Sequence, residues 1–144
     1  MLAAWIMELI FLIAPQYNVP PYLVAAIIIV ESRGDPHAIN YENANGTIDR
    51  GIMQLNSSWF NDTNWHCAET NIRAGCQHLA YLYRQTRDRS PTWWSAVVAY
   101  NCGLTRFNDT TRKLPDSSLD YAYLVFEIWN SLTPNLFRQN GVRQ

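Results

Sequence analysis

The chain alternates between long apolar stretches and short polar breaks. Leu2, Trp5, Ile6, Leu9, Ile10 and Ile13 recur at helical spacing, which predicts a first helix with one broad apolar stripe. MLAAWIMELIFLIA also has the apolar character of a secretory leader. Yet it carries no positive start, Glu8 interrupts it, and it is too short to span a bilayer. A packed first helix is the expectation. Pro15 and Val19-Pro20-Pro21 break it, because a residue before proline is driven out of the helical region.

A second helix is expected from Pro21 to Arg33, ending near Gly34-Asp35-Pro36. Leu23, Val24, Ile27, Ile28 and Val30 make it apolar nearly all round, the pattern of a helix at a domain centre. Its last turn carries a lone carboxylate, Glu31. Residues 38 to 54 have little helical signal. Asn45-Gly46 predicts a tight hairpin turn in a small ribbon from Asn40 to Asp49. Thr70 or Asn71 is the expected cap of a helix reaching Gln85 or Arg87. Pro91 opens another, Thr92 to Asn101, closed by Gly103, and a last helix covers Ser118 to Leu132. The tail after Phe137 reads as frayed and polar. The fold class expected is α+β, mostly α, with a small β-hairpin beside a helical core, in one domain over residues 1–144.

Composition narrows the function. The 144 residues carry a net charge of −1, and only 16% are charged. That excludes a general nucleic-acid binder, which needs a basic face for phosphates, and a basic membrane-surface helix. No membrane span is expected, and a monomer is. Three cysteines, Cys67, Cys76 and Cys102, allow at most one internal disulfide. None has metal-site spacing, so no metal or cofactor is implied. Asn45, Asn56, Asn61 and Asn108 match the short glycosylation tripeptide, which arises readily by chance.

Glu31 and, 18 positions on, Asp49 are the candidate chemistry. A carboxyl at the end of a buried helix is costly to ionise, so its pKa rises. A carboxylic acid still protonated near neutral pH can protonate a glycosidic leaving group. The bland alternative is a structural carboxylate that caps backbone or pairs with Arg33 or Arg50.

Several words in order weigh against the bland alternative. Glu31-Ser32, Pro36-x-Ala38-x-Asn40, Gly51-Ile52-Met53-Gln54, Asn71-Ile72-x-x-Gly75 and Ala96-x-x-Ala99-Tyr100-Asn101-x-Gly103 resemble the lytic transglycosylase (SLT) family. Ser118-x-x-Tyr121-Ala122-x-x-Val125 resembles its last helix, with Ser and Ala where Thr and Val are usual. The resemblance implies a lysozyme-like fold acting on peptidoglycan glycan strands. One Glu protonates the oxygen between N-acetylmuramic acid (MurNAc) and N-acetylglucosamine (GlcNAc). It then acts as base while the muramyl 6-hydroxyl closes a 1,6-anhydro ring. The substrate's acetamido group shields the oxocarbenium charge.

On this chain the resemblance makes Glu31 the acid and base, with Ser32 bonded near it. Met53, Gln54 and Asn56 line the cleft. Tyr100 and Asn101 shape its floor, Asn101 donating to a sugar. Tyr121 orients Glu31. The word Asp49-x-Gly51-Ile52-x-Gln54-x-Asn56-Ser57-x-Trp59 is also similar to the active-site ribbon of c-type lysozymes, where that Asp is a second catalytic carboxylate. Transglycosylases of type III and type IV secretion systems carry a similar pattern. That subset implies a secretion apparatus as partner and the bacterial periplasm or cell envelope as location.

Three roles stand open for Asp49: nucleophile of a hydrolytic muramidase, electrostatic stabiliser, or a structural pair with Arg50 or the ribbon backbone. A non-catalytic glycan-binding or secretion-apparatus component is the alternative of another class. Trp59, Trp65, Trp93 and Trp94 read first as packing, and Arg33 and Arg106 as solvated surface, although both arginines could meet carboxylates of the peptide stem.

Overall fold

The computed structural model describes residues 1–86 and 93–134. Helix α1 (Ala4–Ile13) runs into a 3₁₀ turn (Ala14–Tyr17), then α2 (Pro21–Ser32). Strands β1 (Ile39–Asn40), β2 (Asp49–Arg50) and β3 (Leu55–Asn56) follow, then α3 (Ala68–Thr86), α4 (Trp93–Cys102), α5 (Leu104–Asn108) and α6 (Asp116–Leu132). The expected helix start at Pro91 and Thr92, the possible end of α3 at Arg87, and the tail after Phe137 lie outside the described residues.

Helix α2 is the axle. Pro21 fixes its first turn without wasting a donor, and all six residues from Leu23 to Ile28 are buried. It packs between α1 and α6. It stops because Arg33 adopts a left-handed conformation at φ 55°, with its N–H returning to the Ile29 carbonyl. The inner line of α1 is Ile6, Ile10 and Ile13, and Leu2, just before the helix, is buried too. Trp5 departs from the expected stripe and is 48% exposed. It shares the outer flank with Leu12, seven residues on and also exposed.

The ribbon differs from the expected hairpin. It has three antiparallel strands in the order β1-β2-β3, and β3 carries no sequence signal beyond two residues. Asn45 keeps a negative φ and only Gly46 is left-handed, at φ 77°. The β1–β2 connection is therefore a long loop and not a two-residue type I′ turn. Ile39 faces Arg50, Asn40 faces Asp49, and Asp49 faces Asn56.

Helix α3 begins earlier than expected, and Asn71 is not its cap. Asn71 is fully buried inside it. Its side chain accepts from the Met53 N–H at 2.9 Å and donates to the carbonyls of Arg50 (3.1 Å) and Trp65 (3.0 Å). The turn after β2 crosses α3 very closely here. A Cβ at Gly51 would collide with the Asn71 amide, and one at Gly75 with the Met53 thioether. The glycines of the two motifs are thus spacers for this crossing.

Replacing Asn71 with Ala strands one buried N–H and two carbonyls. Chemical denaturation should show a loss of about 1–3 kcal/mol or more in unfolding free energy. A loss below about 0.5 kcal/mol would remove the clamp from the account.

Candidate active site

A cleft of about 1090 Å³ separates the ribbon from α3, α4 and α5. Glu31 enters it from the last turn of α2, Asp49, Gln54 and Asn56 from the ribbon, and Tyr100 and Asn101 from α4.

The Glu31 carboxyl sits in a dense surround. Burial, the largest cause, raises its pKa from 4.5 to about 7. Tyr121 Oη donates to Glu31 Oε1 at 2.7 Å and pulls the other way, and the Asp49 charge adds to the rise. Burial, followed by the Glu31 charge, holds the Tyr121 phenol well above its ordinary range, so Tyr121 stays a donor. At neutral pH Glu31 is therefore divided between acid and carboxylate, the state in which one group can give and then take a proton.

Asp49 is held by amides and not by a cation. Asn56 Nδ2 donates to Oδ1 at 2.8 Å, while Asn43 Nδ2 (3.0 Å) and Asn40 Nδ2 (3.4 Å) donate to Oδ2. The strand register explains it, since Asn40 and Asn56 are Asp49's cross-strand neighbours on both sides. Arg50 is the next residue along β2 and turns to the other face. Its Nη2 donates to the Phe60 carbonyl at 3.2 Å, and its guanidinium lies 5.8 Å from the Trp65 ring centroid. The pairing of Asp49 with Arg50, or with ribbon backbone, does not form.

The remaining expected residues separate into lining and scaffold. Gln54 lines the cleft at φ 53° and donates to the Ala38 and Gly51 carbonyls, each at 2.9 Å. Asn101 is exposed in the cleft, and its Oδ1 accepts from Ser118 Oγ at 2.7 Å, leaving the amide N–H groups for a ligand. Tyr100 forms part of the wall and donates to the Met53 carbonyl at 2.6 Å.

Met53 differs from expectation, and neither it nor Ser32 is part of the cleft lining. Met53 is fully buried and does not line the cleft, because its thioether fills the space over Gly75. Ser32 makes no bond to Glu31. Its Oγ donates to the Ile52 carbonyl at 2.6 Å and accepts from the Gly34 N–H at 3.1 Å, tying the end of α2 to the ribbon. Tyr121 acts from behind Glu31, outside the lining.

Sequence reasoning missed His78. It lines the cleft and stacks on Trp59 at 4.1 Å between ring centroids, with Tyr81 and Tyr100 near it. Burial lowers its pKa to about 4, so it stands in the wall as a neutral imidazole. Its place, seven residues after Asn71 on α3, was the available signal. Trp59 alone of the four tryptophans weighed is part of this wall. Trp93 stacks on Tyr83, and Trp94 meets Tyr123 and Phe126 edge-on. All three thiols are free, and burial pushes Cys76 up to about 12.

The family model described as Transglycosylase SLT domain matches residues 8–121, most of the chain. The chain belongs to this family. Its fold is the lysozyme-like fold of SLT domains. Similar proteins include the membrane-bound lytic murein transglycosylase F of Actinobacillus pleuropneumoniae serotype 5b, 34% identical over 110 residues. That match covers 68% of this chain and 22% of the relative. The protein of the same name in Haemophilus influenzae is 32% identical, with the same coverage. A transglycosylase of Enterobacteria phage PRD1 is 29% identical over 77% of this chain and 40% of its own length. This SLT chain thus spans about a fifth to two fifths of these relatives. No solved structure matches it. No helix among the described residues is long and apolar enough to cross a membrane.

The raised Glu31 pKa makes a linkage prediction. The folded state holds the Glu31 proton up to about pH 7, whereas the unfolded chain releases it near 4.5. Protonated Glu31 favours folding, and that advantage disappears as pH rises through this window. Glu31→Gln should therefore gain stability over the parent between pH 4.5 and 8, by up to about 3 kcal/mol. Paired denaturation curves at pH 4 and pH 8 measure it. A pH-independent difference would remove Glu31 as the buried acid.

Proposed function

We propose that this SLT domain cleaves the MurNAc-β-1,4-GlcNAc bond of peptidoglycan as a lytic transglycosylase. The observation that carries the reading is Glu31, raised to about 7 and held by Tyr121 on the cleft wall. Protonated Glu31 gives its proton to the glycosidic oxygen as the C1–O bond breaks. The resulting carboxylate takes the proton of the muramyl 6-hydroxyl as O6 bonds to C1. Glu31 ends protonated, the product is a 1,6-anhydroMurNAc end, and no water is consumed.

Asp49 carries the role of electrostatic stabiliser. Its charge faces the developing oxocarbenium ion, while three amide donors occupy its lone pairs and blunt it as a nucleophile. Gln54, Asn56, Tyr100 and Asn101 bind sugar, and Tyr121 positions Glu31. Ser32 and Met53 hold the frame. The natural location of this activity is the bacterial envelope, with a single-domain monomer over residues 1–144 and a secretion apparatus as an associated partner.

Mass spectrometry of digested peptidoglycan tests the reaction. Anhydromuramyl ends support it, whereas reducing muramyl ends would make the chain a hydrolytic muramidase using Glu31 and Asp49. Glu31→Gln should lower cleavage by about 10²–10⁴-fold, and Asp49→Asn by less. An equal loss in both would shift the mechanism to two essential carboxylates.

The pH profile tests Tyr121. Activity needs protonated Glu31, so kcat/KM should fall above about pH 7. The Tyr121 bond lowers the Glu31 pKa. Tyr121→Phe should therefore move the basic limb to higher pH, besides lowering the maximum. An unmoved limb would leave Tyr121 a packing residue.

A further inference from the structure

The cleft is electrically lopsided. Its ribbon end is lined by Asn43, Ala44, Asn45 and Thr47, with no cation. The carboxyls of Glu31 and Asp49 also line the cleft. The part lined by α5 and the loop after it carries Arg106 and Arg112, with one carboxylate, Asp109, beside them. Neutral sugar rings need amides and aromatic faces, and two guanidiniums at one end suit an anionic group.

The fold does not use up these two cations. Arg106 Nη2 donates to the Lys113 carbonyl, while its Nη1 is buried without a hydrogen-bond partner among the described residues. Nη1 has almost no exposed surface, so the charge most open to a ligand here is that of Arg112, with Arg106 in the lining beside it. Arg112 is held by Asp109 through Nε at 2.9 Å, and this is its one bond among the described residues. Its side chain remains 64% exposed, so the outer edge of the guanidinium is accessible. Asp109 fixes Arg112 in place, and Arg106 Nη1 has no hydrogen-bond partner among the described residues. Arg33, by contrast, lies at the exposed end of α2 and is not part of the cleft.

We infer that Arg106 and Arg112 form a carboxylate-binding subsite that receives the peptide stem of a muramyl residue at the α5 end of the cleft. This rests on the proposed peptidoglycan reading, which supplies a ligand with carboxylates along its stems. Such a subsite would set the polarity with which a strand lies across Glu31. It would also make stem-bearing strands better ligands than bare glycan.

Binding separates this inference from the catalytic one. The Glu31→Gln protein is titrated with soluble stem-bearing strands and with strands stripped of their stems by an amidase, which keep the lactyl carboxylate. The stem-bearing strands should bind more tightly, and added salt should narrow the gap. Adding Arg112→Gln should reduce the preference, the ratio of the two affinities, about tenfold. Arg112→Lys should recover part of it. Arg106→Gln should act in the same direction. Arg112 is the safer probe, because Arg106 also ties down the Lys113 carbonyl.

An unchanged ratio in Arg112→Gln would overturn the subsite. So would an equal loss on both ligands, which would assign the arginines to the lactyl group or to the fold. Cleavage by the unsubstituted chain is scored separately. Preferential binding without any cutting would sink the transglycosylase reading and leave the subsite standing.

Discussion

The structure depends on one buried turn, Gly51 to Gln54. Its backbone runs through the interior between the ribbon and the helices, where unpaired N–H and carbonyl groups are expensive. Side chains from three helices meet that demand. Ser32 on α2 donates to the Ile52 carbonyl, Asn71 on α3 accepts from the Met53 N–H, and Tyr100 on α4 donates to the Met53 carbonyl. Gln54 closes the turn by bonding the Gly51 carbonyl with its own amide. Satisfying this turn fixes the ribbon against the helical core. The same act brings Asp49 to face the end of α2, where Glu31 stands. Backbone bookkeeping and active-site geometry are here the same problem.

That coupling gives the two carboxylates different characters on one cleft wall. Glu31 leaves the end of a helix buried along its middle, so burial dominates it and one phenol is its hydrogen-bond donor. Asp49 lies on a thin three-stranded ribbon, where neighbouring strands supply amides at fixed register. A dense surround favours the neutral acid, whereas a ring of amide donors holds a carboxylate in place without a cation. The chain needs no cation in the centre of the cleft to set this contrast, and its nearest such residue on the ribbon, Arg50, is turned away to Phe60 and Trp65.

Much of this was legible as words and little of it as geometry. The all-apolar run from Leu23 to Ile28 identified the central helix, because only a helix surrounded by protein lacks a polar face. Glu31 followed from its place at the end of that run. The β-ribbon was harder. Strands of two residues have no period to detect, and Asn45-Gly46 suggested a tight turn where a loop occurs. Asn71 read as a cap because Asn caps helices often, yet its three bonds all go to residues far along the chain or outside the helix. Met53 belonged to the right motif with the wrong role. A motif records which residues cooperate, whereas only packing against Gly75 says that the thioether points inward.

The asparagines around Asp49 have a consequence for how the cleft could carry charge through a reaction. A carboxylate offers about four lone-pair directions, and three are occupied by Asn40, Asn43 and Asn56. Forming a bond to a sugar carbon would have to break into that ring of donors. Remaining an anion requires no rearrangement at all. On the proposed mechanism this favours a charge held ready near C1 over a covalent partner, since a preorganised charge stabilises a cation without reorganising during the step. It also serves Glu31 beforehand: the same unneutralised charge adds to the rise that burial gives the Glu31 pKa. Amide support in place of a salt bridge is what permits both effects from one residue, because a guanidinium paired to Asp49 would cancel the field on which each of them relies.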